Sequence, residues 1–442
     1  MYSRRQFLGY GSAAFIAASG RVFGVEAPSN RVRLAIVGCH ELGRGQRVMK
    51  AALRVPGVDI ACVCDVDSRA MDWAASQVLE ISGVSPKKER DYRKVLEDPS
   101  IDGVILETPD HWHAWGAVMA MRAGKAVYVE KPCAFCPREG EVILETQRKT
   151  GMVLQVGSQR RSSKTYRDAI ALLHGGALGE PRWAKCWYMS RRESIGSGRE
   201  APVPEWLDWD LWQGPAPRTA FRDNVVHYNW HWFRRWGTAE TGNNAPHFAD
   251  VARWALGGKF PERVTTAGGL VFPKDDDYEW PDTYSMSFEY PGGKFATFEL
   301  VSHLRARTFK NAGSGAIVYG DRGSVYFGPY DDVSVLDDKG AEIKRWDKDS
   351  AAKTGSLTDP TTSLDILHMS DFVACIRSGS QKTAAPADEG YMSSYMPIAA
   401  NISLDLHESI RTDPETGRPV GNKAAEALWR REYEKGWNAF EA

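Results

Sequence analysis

Leu34-Ala35-Ile36-Val37 runs straight into Gly38-Cys39-His40-Glu41-Leu42-Gly43, and the reading of this junction decides the fold. An apolar β-type run, Arg33 to Val37, enters a glycine-bearing turn and is followed by a helical pattern over Gln46 to Arg54. Such an order opens a βαβ unit. Working outward, strands are predicted over Val58 to Cys64, Gly103 to Glu107, Ala126 to Val129 and Met152 to Val156. Helices are predicted between them over Ser68 to Glu80, Trp112 to Ala123 and Arg138 to Thr150. This alternation implies a parallel, doubly wound sheet, which binds ligands at the carboxyl ends of its strands. Gly38, Asp65, Pro109 and Lys131 all stand at such ends.

The turn has the first and third glycines of a dinucleotide fingerprint, with His40 in place of the second. That glycine lets the backbone approach a pyrophosphate, so a Cβ there is an obstruction, and either the loop shifts onto Gly43 and Gly45 or the cofactor is held differently. Asp65 ends the second strand where an acid accepts ribose hydroxyls, which favours NAD over NADP, although nearby Arg69 is suited to a 2′-phosphate.

Two further stretches complete the pattern. Asp102-Gly103-Val104-Ile105-Leu106-Glu107-Thr108-Pro109-Asp110-His111 is followed by Tyr128-Val129-Glu130-Lys131-Pro132. In this order they resemble the glucose-fructose oxidoreductase, inositol dehydrogenase and MocA family, in which the lysine of Glu-Lys-Pro sits beside the nicotinamide and the reacting hydroxyl. The resemblance implies an NAD site built from Gly38, His40, Gly43, Asp65, Thr108, Pro109, His113, Glu130 and Lys131. It covers most of the chain after the leader.

A second constellation lies in an aromatic-rich insertion, Trp206 to Trp236: His227-Tyr228-Asn229-Trp230-His231-Trp232, followed by Gly242-Asn243-Asn244-Ala245-Pro246-His247. Many members of the family carry a catalytic histidine four residues after an aspartate, at the start of a helix. His247 matches the histidine, and Asn243 stands where the aspartate would be. Lys131 and His247 therefore remain as the proton-handling pair, and both residue types can be tuned to work near neutral pH. His227 and His231 are read as further bases or substrate contacts. Placed on one helix face they could also join His247 in a metal site, but zinc would call for an acidic or thiolate partner, so no metal is assigned. Asn243, Asn244, Tyr228, Trp230 and Arg160 are the expected substrate contacts. Sixteen tryptophans, six of them between Trp206 and Trp236, suit the flat apolar faces of sugars or simply a core.

Beyond Pro181 the pattern changes to short alternating segments, Trp183 to Met189, Thr283 to Tyr290, Lys294 to Val301 and Ala316 to Tyr319, with late helices over Leu364 to Ser378 and Met396 to His407. The expected architecture is an N-terminal Rossmann domain over residues 31–160. An α+β domain with a large, mostly antiparallel open sheet follows over 161–442, and its C-terminal helices are free to return to the first domain. A uncovered sheet face suggests a homodimer or homotetramer.

The start of the chain reads as an address. Ser3-Arg4-Arg5-Gln6-Phe7-Leu8 precedes a small, apolar run from Gly9 to Gly20 and a small-residue cleavage site at Val25-Glu26-Ala27, which is the order of a twin-arginine export signal over residues 1–27 and predicts a periplasmic protein. The apolar run is too short to span a bilayer. The 442 residues carry 56 basic and 57 acidic side chains, so no net field draws the chain to nucleic acid or an anionic membrane, and a small uncharged molecule is the natural partner. Seven cysteines do not make a disulfide framework, and Cys133 and Cys136 have redox or zinc spacing without a second pair.

Export bears on mechanism, since no NAD pool is expected outside the cytoplasm and a folded protein can carry a tightly bound cofactor out. Two reactions follow: oxidation of a sugar or glycoside hydroxyl, for example to a 3-keto sugar, or redox-neutral glycoside hydrolysis, an exception to the paired-carboxylate route. A sugar-binding protein that has lost chemistry is the alternative of another class, favoured by His40 and Asn243.

Overall fold

The computed structural model describes residues 31–437 apart from Leu42, 273–274, 330 and 347–360, so the export signal expected over 1–27 lies outside the described residues. Six strands, β1 (Val32–Val37), β2 (Val58–Cys64), β3 (Lys87–Glu89), β4 (Gly103–Leu106), β5 (Ala126–Val129) and β6 (Leu154–Val156), form one sheet. Its order is β3-β2-β1-β4-β5-β6, and every pairing is parallel. This is the doubly wound Rossmann arrangement, whose strand order reverses between β1 and β4 and opens a crevice there. β4 and β5 are buried at every position because helices cover both faces, which is why they read as unbroken apolar runs. One covering helix comes from far along the chain: Met369, Phe372 and Val373 of helix Thr361–Ser378 pack with Leu34 and Ile36 of β1.

The second sheet has nine strands: β7 (Trp183–Met189), β8 (Arg263–Gly269), β9 (Thr283–Tyr290), β10 (Lys294–Val301), β11 (Ser314–Gly320), β12 (Gly323–Phe327), β13 (Val333–Leu336), β14 (Glu342–Arg345) and β15 (Ile410–Arg411). Their order is β14-β13-β12-β11-β7-β10-β9-β8-β15, antiparallel throughout except for the parallel pair β7 and β10. Along β7, Ala184 and Cys186 are buried, and the Cys186 thiol meets the carbonyl of Phe248 on helix Pro246–Leu256, so this face carries the core. On the other face Trp183 stacks between Phe295 and Tyr319.

Most of the aromatic insertion turns out to be core. Trp209 and Trp212 stack at 4.8 Å, Trp236 meets both edge-on, and Trp232 is 2% exposed. No helix is long and apolar enough to cross a membrane among the described residues.

Candidate functional site

The crevice at the ends of β1, β2, β4 and β5 continues into the second domain as one cavity of about 670 Å³, and every residue expected at the site lines it. At the phosphate turn Gly38 has φ +87°, and a Cβ there would come within 2.6 Å of the Glu107 carbonyl oxygen, so the turn and the end of β4 touch backbone to backbone. A Cβ on Gly45, the first residue of helix Gly45–Ala52, would collide with the Gly38 carbonyl. His40 stacks on His227 at 4.2 Å, and burial lowers its pKa.

Asp65 is fastened to this turn, its carboxylate accepting the N–H of Cys39 at 2.6 Å and of Asp67 at 2.9 Å. Each oxygen keeps lone pairs for ribose hydroxyls. Burial raises the Asp65 pKa, and the two backbone donors oppose the rise. Asp67 caps helix Ser68–Ser82 and is fully buried. It accepts hydrogen bonds from Arg69 and, at 2.8 Å, from His227 Nε2. Burial pushes its pKa up, but His227 and Arg69 hold the carboxyl well below the usual range. Arg69 in turn lies 3.4 Å from the Trp206 ring, and the backbone of Trp206 accepts from Ser68 N–H. The insertion is thus strapped to the end of β2. His227, expected as a base, belongs to this strap at the cofactor end, because Asp67 is its partner.

Lys131 ends β5 and donates from Nζ to the Asn243 carbonyl at 2.7 Å. Asn243 therefore contributes a backbone oxygen where a carboxylate was expected by resemblance. Glu130, beside it, accepts from Arg44, Tyr128 and Gln159, and although burial pushes its pKa up, Arg44 and Lys131 hold it down. Both ring nitrogens of His113 face backbone carbonyls, Pro132 at 2.7 Å and Thr108 at 2.8 Å. Expected as a cofactor contact, His113 has neither nitrogen left for one and instead ties the end of β4 to the lysine loop.

Across the cavity, His231 sits in the short turn Asn229–Trp232, not on an α-helix as the metal-site idea required. Its Nδ1 lies 2.6 Å from the Tyr228 carbonyl, which makes Nδ1 the donor and leaves Nε2 an acceptor. Burial lowers its pKa to about 3, so the ring is neutral. His247 stands in the first turn of helix Pro246–Leu256, and burial, followed by Arg160, Lys131 and Arg44, takes its pKa well below the ordinary value. Tyr228 and Trp230 flank His231, with Trp230 stacked at 3.6 Å. Asn244 is held by Glu240, which also clasps Arg192.

Sequence reasoning missed Asp67, Arg44, Asp365 and the Arg192–Glu240 pair. Asp67 carries a local signal, an acid at a helix N-cap; the Arg44–Asp365 contact joins residues 321 apart and carries none. Cys133 and Cys136 are separately buried free thiols, both pushed up to about 12 by burial.

The cleft fits a dinucleotide. Besides the turn and Asp65, Thr108 Oγ1, the Glu107 carboxyl oxygens and Asn243 Nδ2 are buried without a hydrogen-bond partner, polar groups of the kind a ligand satisfies.

Comparison with known proteins agrees. Residues 32–158 match the group described as "Oxidoreductase family, NAD-binding Rossmann fold" and residues 209–400 its "C-terminal alpha/beta domain". Scyllo-inositol 2-dehydrogenase (NAD(+)) of Bacillus subtilis is 34% identical over 156 residues, 35% of this chain and 44% of that protein. A glycosyl hydrolase family 109 protein of Saccharopolyspora erythraea is 32% identical over 232 residues, 49% of this chain and 50% of that protein. The chain thus spans about half the length of these curated relatives. Among solved structures, a levoglucosan dehydrogenase in complex with NADH and levoglucosan has a TM-score of 0.65 at 18% identity, covering 86% of this chain and 99% of that one. An oxidoreductase from Agrobacterium radiobacter in complex with NAD+, L-tartaric acid and magnesium has a TM-score of 0.63 at 17% identity, covering 86% and 98%. At these identities the structures speak to the fold alone.

Proposed function

The chain belongs to the glucose-fructose oxidoreductase, inositol dehydrogenase and MocA family of NAD-binding oxidoreductases, and from that premise we propose that it oxidises a hydroxyl-bearing carbon of a sugar or glycoside. The observation that carries the proposal is Lys131, at a strand end beside the dinucleotide cleft, its Nζ held by the Asn243 carbonyl in one cavity with His247. Bound NAD supplies the hydride acceptor. Lys131 takes the hydroxyl proton, and neutral His247 accepts a hydrogen bond from the reacting or neighbouring hydroxyl. His113 and Asn243 fix the lysine so that little ordering remains to be done when substrate arrives. Trp230 and Tyr228 offer an apolar wall to the sugar ring. The scyllo-inositol 2-dehydrogenase relative named above supports this class of substrate.

A second reading, redox-neutral glycoside cleavage, is favoured by His231 and by the glycosyl hydrolase relative. Its Nε2 is a neutral acceptor on the far wall, suited to removing the C–H proton next to a transient ketone while the glycosidic group leaves. Purified protein mixed with glycosides and free sugars separates these readings. A lasting rise of the reduced-nicotinamide band supports oxidation, and release of free sugar without a lasting rise supports cleavage. Failure to bind NAD at all would leave a sugar-binding protein.

We further place the protein in the periplasm, exported with NAD already bound. The expected result is loss of the periplasmic fraction when Arg4 and Arg5 are both changed to Lys. A homodimer or homotetramer is proposed on the outer face of the second sheet, at the Trp183, Phe295 and Tyr319 row. Light scattering of the Trp183→Ala protein tests it, a smaller assembly being expected.

A further inference from the structure

One acid beside the phosphate turn has no part in the sugar chemistry. Glu107 follows β4 where the strand order reverses, and its N–H donates to the Val37 carbonyl at 2.8 Å, so the pairing of β4 with β1 holds its backbone in place. Gly45, the first residue of helix Gly45–Ala52, lies so close that a Cβ there would stand 3.2 Å from Glu107 Cβ and 3.5 Å from its Cγ. That helix begins with no side-chain cap and no acid in its first turn. Its unsatisfied N–H groups and the positive end of its dipole are therefore left to the crevice, where a dinucleotide pyrophosphate is received. Glu107 lines the cavity beside this anion site, and both its carboxyl oxygens are buried without a hydrogen-bond partner.

The ionisable groups around Glu107 come from four elements. The phosphate turn supplies Arg44, whose Nε donates to Glu130 at 3.3 Å and whose two Nη atoms are both held by Asp365 of helix Thr361–Ser378. It also supplies the Cys39 thiol, which is turned to the Ile36 and Cys64 carbonyls. At the end of β5, Tyr128 donates to Glu130, and Lys131 Nζ is bonded to the Asn243 carbonyl. Arg47 of helix Gly45–Ala52 lines the same cavity. Three carboxyls thus surround Arg44, and Glu130 and Asp365 hold it. A buried carboxylate with no hydrogen bond of its own is costly and takes a proton instead. Burial, and then Glu130, push the Glu107 pKa well above the ordinary value. Burial raises Glu130 as well, but Arg44 and Lys131 hold it down, so of this pair Glu107 carries the proton. Burial also raises Asp365, against Arg44.

We propose that Glu107 is a proton-operated gate on cofactor binding: the NAD pyrophosphate is admitted beside the neutral carboxyl and repelled by the carboxylate, so binding takes up a proton wherever the empty site is ionised. The sign follows from charge. A bound anion favours the acid form of a neighbouring carboxyl, so affinity is greatest at low pH and falls as the pH rises through the titration of the empty site. It levels off once Glu107 stays ionised with NAD bound. The neutral acid also has an O–H to donate, where the carboxylate can only accept. The gate concerns the cofactor alone and stands whether the protein oxidises its sugar or cleaves it.

The test is calorimetric titration of the full-length protein, stripped of cofactor, with NAD and with ADP-ribose, which keeps the pyrophosphate and lacks the nicotinamide. Titrations run from about pH 6 to about pH 9.5 in buffers of different ionisation enthalpy, so that proton uptake is read directly. Both ligands are expected to weaken by up to about tenfold per pH unit at the alkaline end, with uptake approaching about one proton per molecule bound. Glu107→Gln, neutral at every pH, should keep the affinity the parent shows at low pH and lose both the slope and the uptake. Glu107→Ala takes its place if the Gln protein does not fold, and there the loss of slope and uptake is the readout. A flat profile without uptake in the parent overturns the proposal, as does a slope that survives Glu107→Gln, which titration of Asp365 or His40 would give. A slope for NAD with none for ADP-ribose overturns the pyrophosphate as the partner. Failure of both ligands to bind at any pH overturns the proposal together with the two reactions above, whereas tight binding with a flat profile overturns it alone.

Discussion

Removing the Asp67 carboxylate tests whether the insertion is fastened to the cofactor cleft as the structure shows. Asp67 is fully buried and makes three distinct interactions: it caps helix Ser68–Ser82, receives the His227 Nε2 bond at 2.8 Å, and pairs with Arg69. Loss of an N-cap costs about 1 kcal/mol. A buried hydrogen bond to a charged group is worth about 1.5–3 kcal/mol. The Arg69 pair adds less than about 1 kcal/mol, because its guanidinium end is 57% exposed and screened by water. Asp67→Ala should therefore lower unfolding stability by about 3–5 kcal/mol. His227→Ala should lower it by about 1.5–3 kcal/mol. The double variant should show a coupling of about 1.5–3 kcal/mol in urea unfolding. Because the strap closes the end of the cleft that holds Asp65, the same variants should lose NAD on gel filtration while the parent keeps it. A coupling below about 0.5 kcal/mol, the usual error of additivity, would refute the Asp67–His227 strap.

Other outcomes follow from the same geometry. Lys131→Met should reduce turnover by about 10²- to 10⁴-fold with NAD binding unchanged, measured by stopped-flow absorbance and calorimetry. Arg161→Met removes the partner of buried Asp250, 2.7 Å away, and should destabilise the protein by about 3–5 kcal/mol in denaturant unfolding. Burial lowers His111 and His231 from 6.5 to about 3. The unfolded chain thus binds protons that the folded one refuses between those values, and stability should fall as pH drops through that window. Each ring contributes at most about 1.4 kcal/mol per pH unit. Melting curves should show a steep loss below pH 6, flattened in His111→Asn relative to its own value at neutral pH.

The strands of the first domain were legible where each is a local apolar run, and β2, β5, β7, β9 and β10 lie at the predicted bounds; β3, the charged edge strand Lys87–Glu89, carries no such run and was not predicted. The last long helix was predicted from Met396 yet runs over Ala387–Leu406. Its first turns hold Gly390, Ser393 and Ser394, poor helix formers, and a proline, Pro397, lies within it. Packing overrides propensity there: Gly390 lies against Val156, where a side chain would collide, and Ser393 donates to Asp250 at 2.6 Å.

At the site, residue types and strand-end positions brought out Lys131, Asp65, His247 and Arg160, since these depend on short-range pattern and resemblance. The roles of the histidines did not follow. His227 was indistinguishable from His231 in the sequence, and what separates them is Asp67, 160 residues from His227, against the Tyr228 carbonyl three residues from His231.

The sequence by itself determined the alternation of strands and helices in the first domain apart from β3, the glycine-bearing turn and the lysine after β5, because each is written in neighbouring residues and in the periodicity of burial. Only the tertiary structure decided which tryptophans are core and which histidine is strapped to the cofactor end. The strap joins residues 160 apart, and the burial that fixes a side chain's charge and hydrogen bonds exists only once the chain has folded.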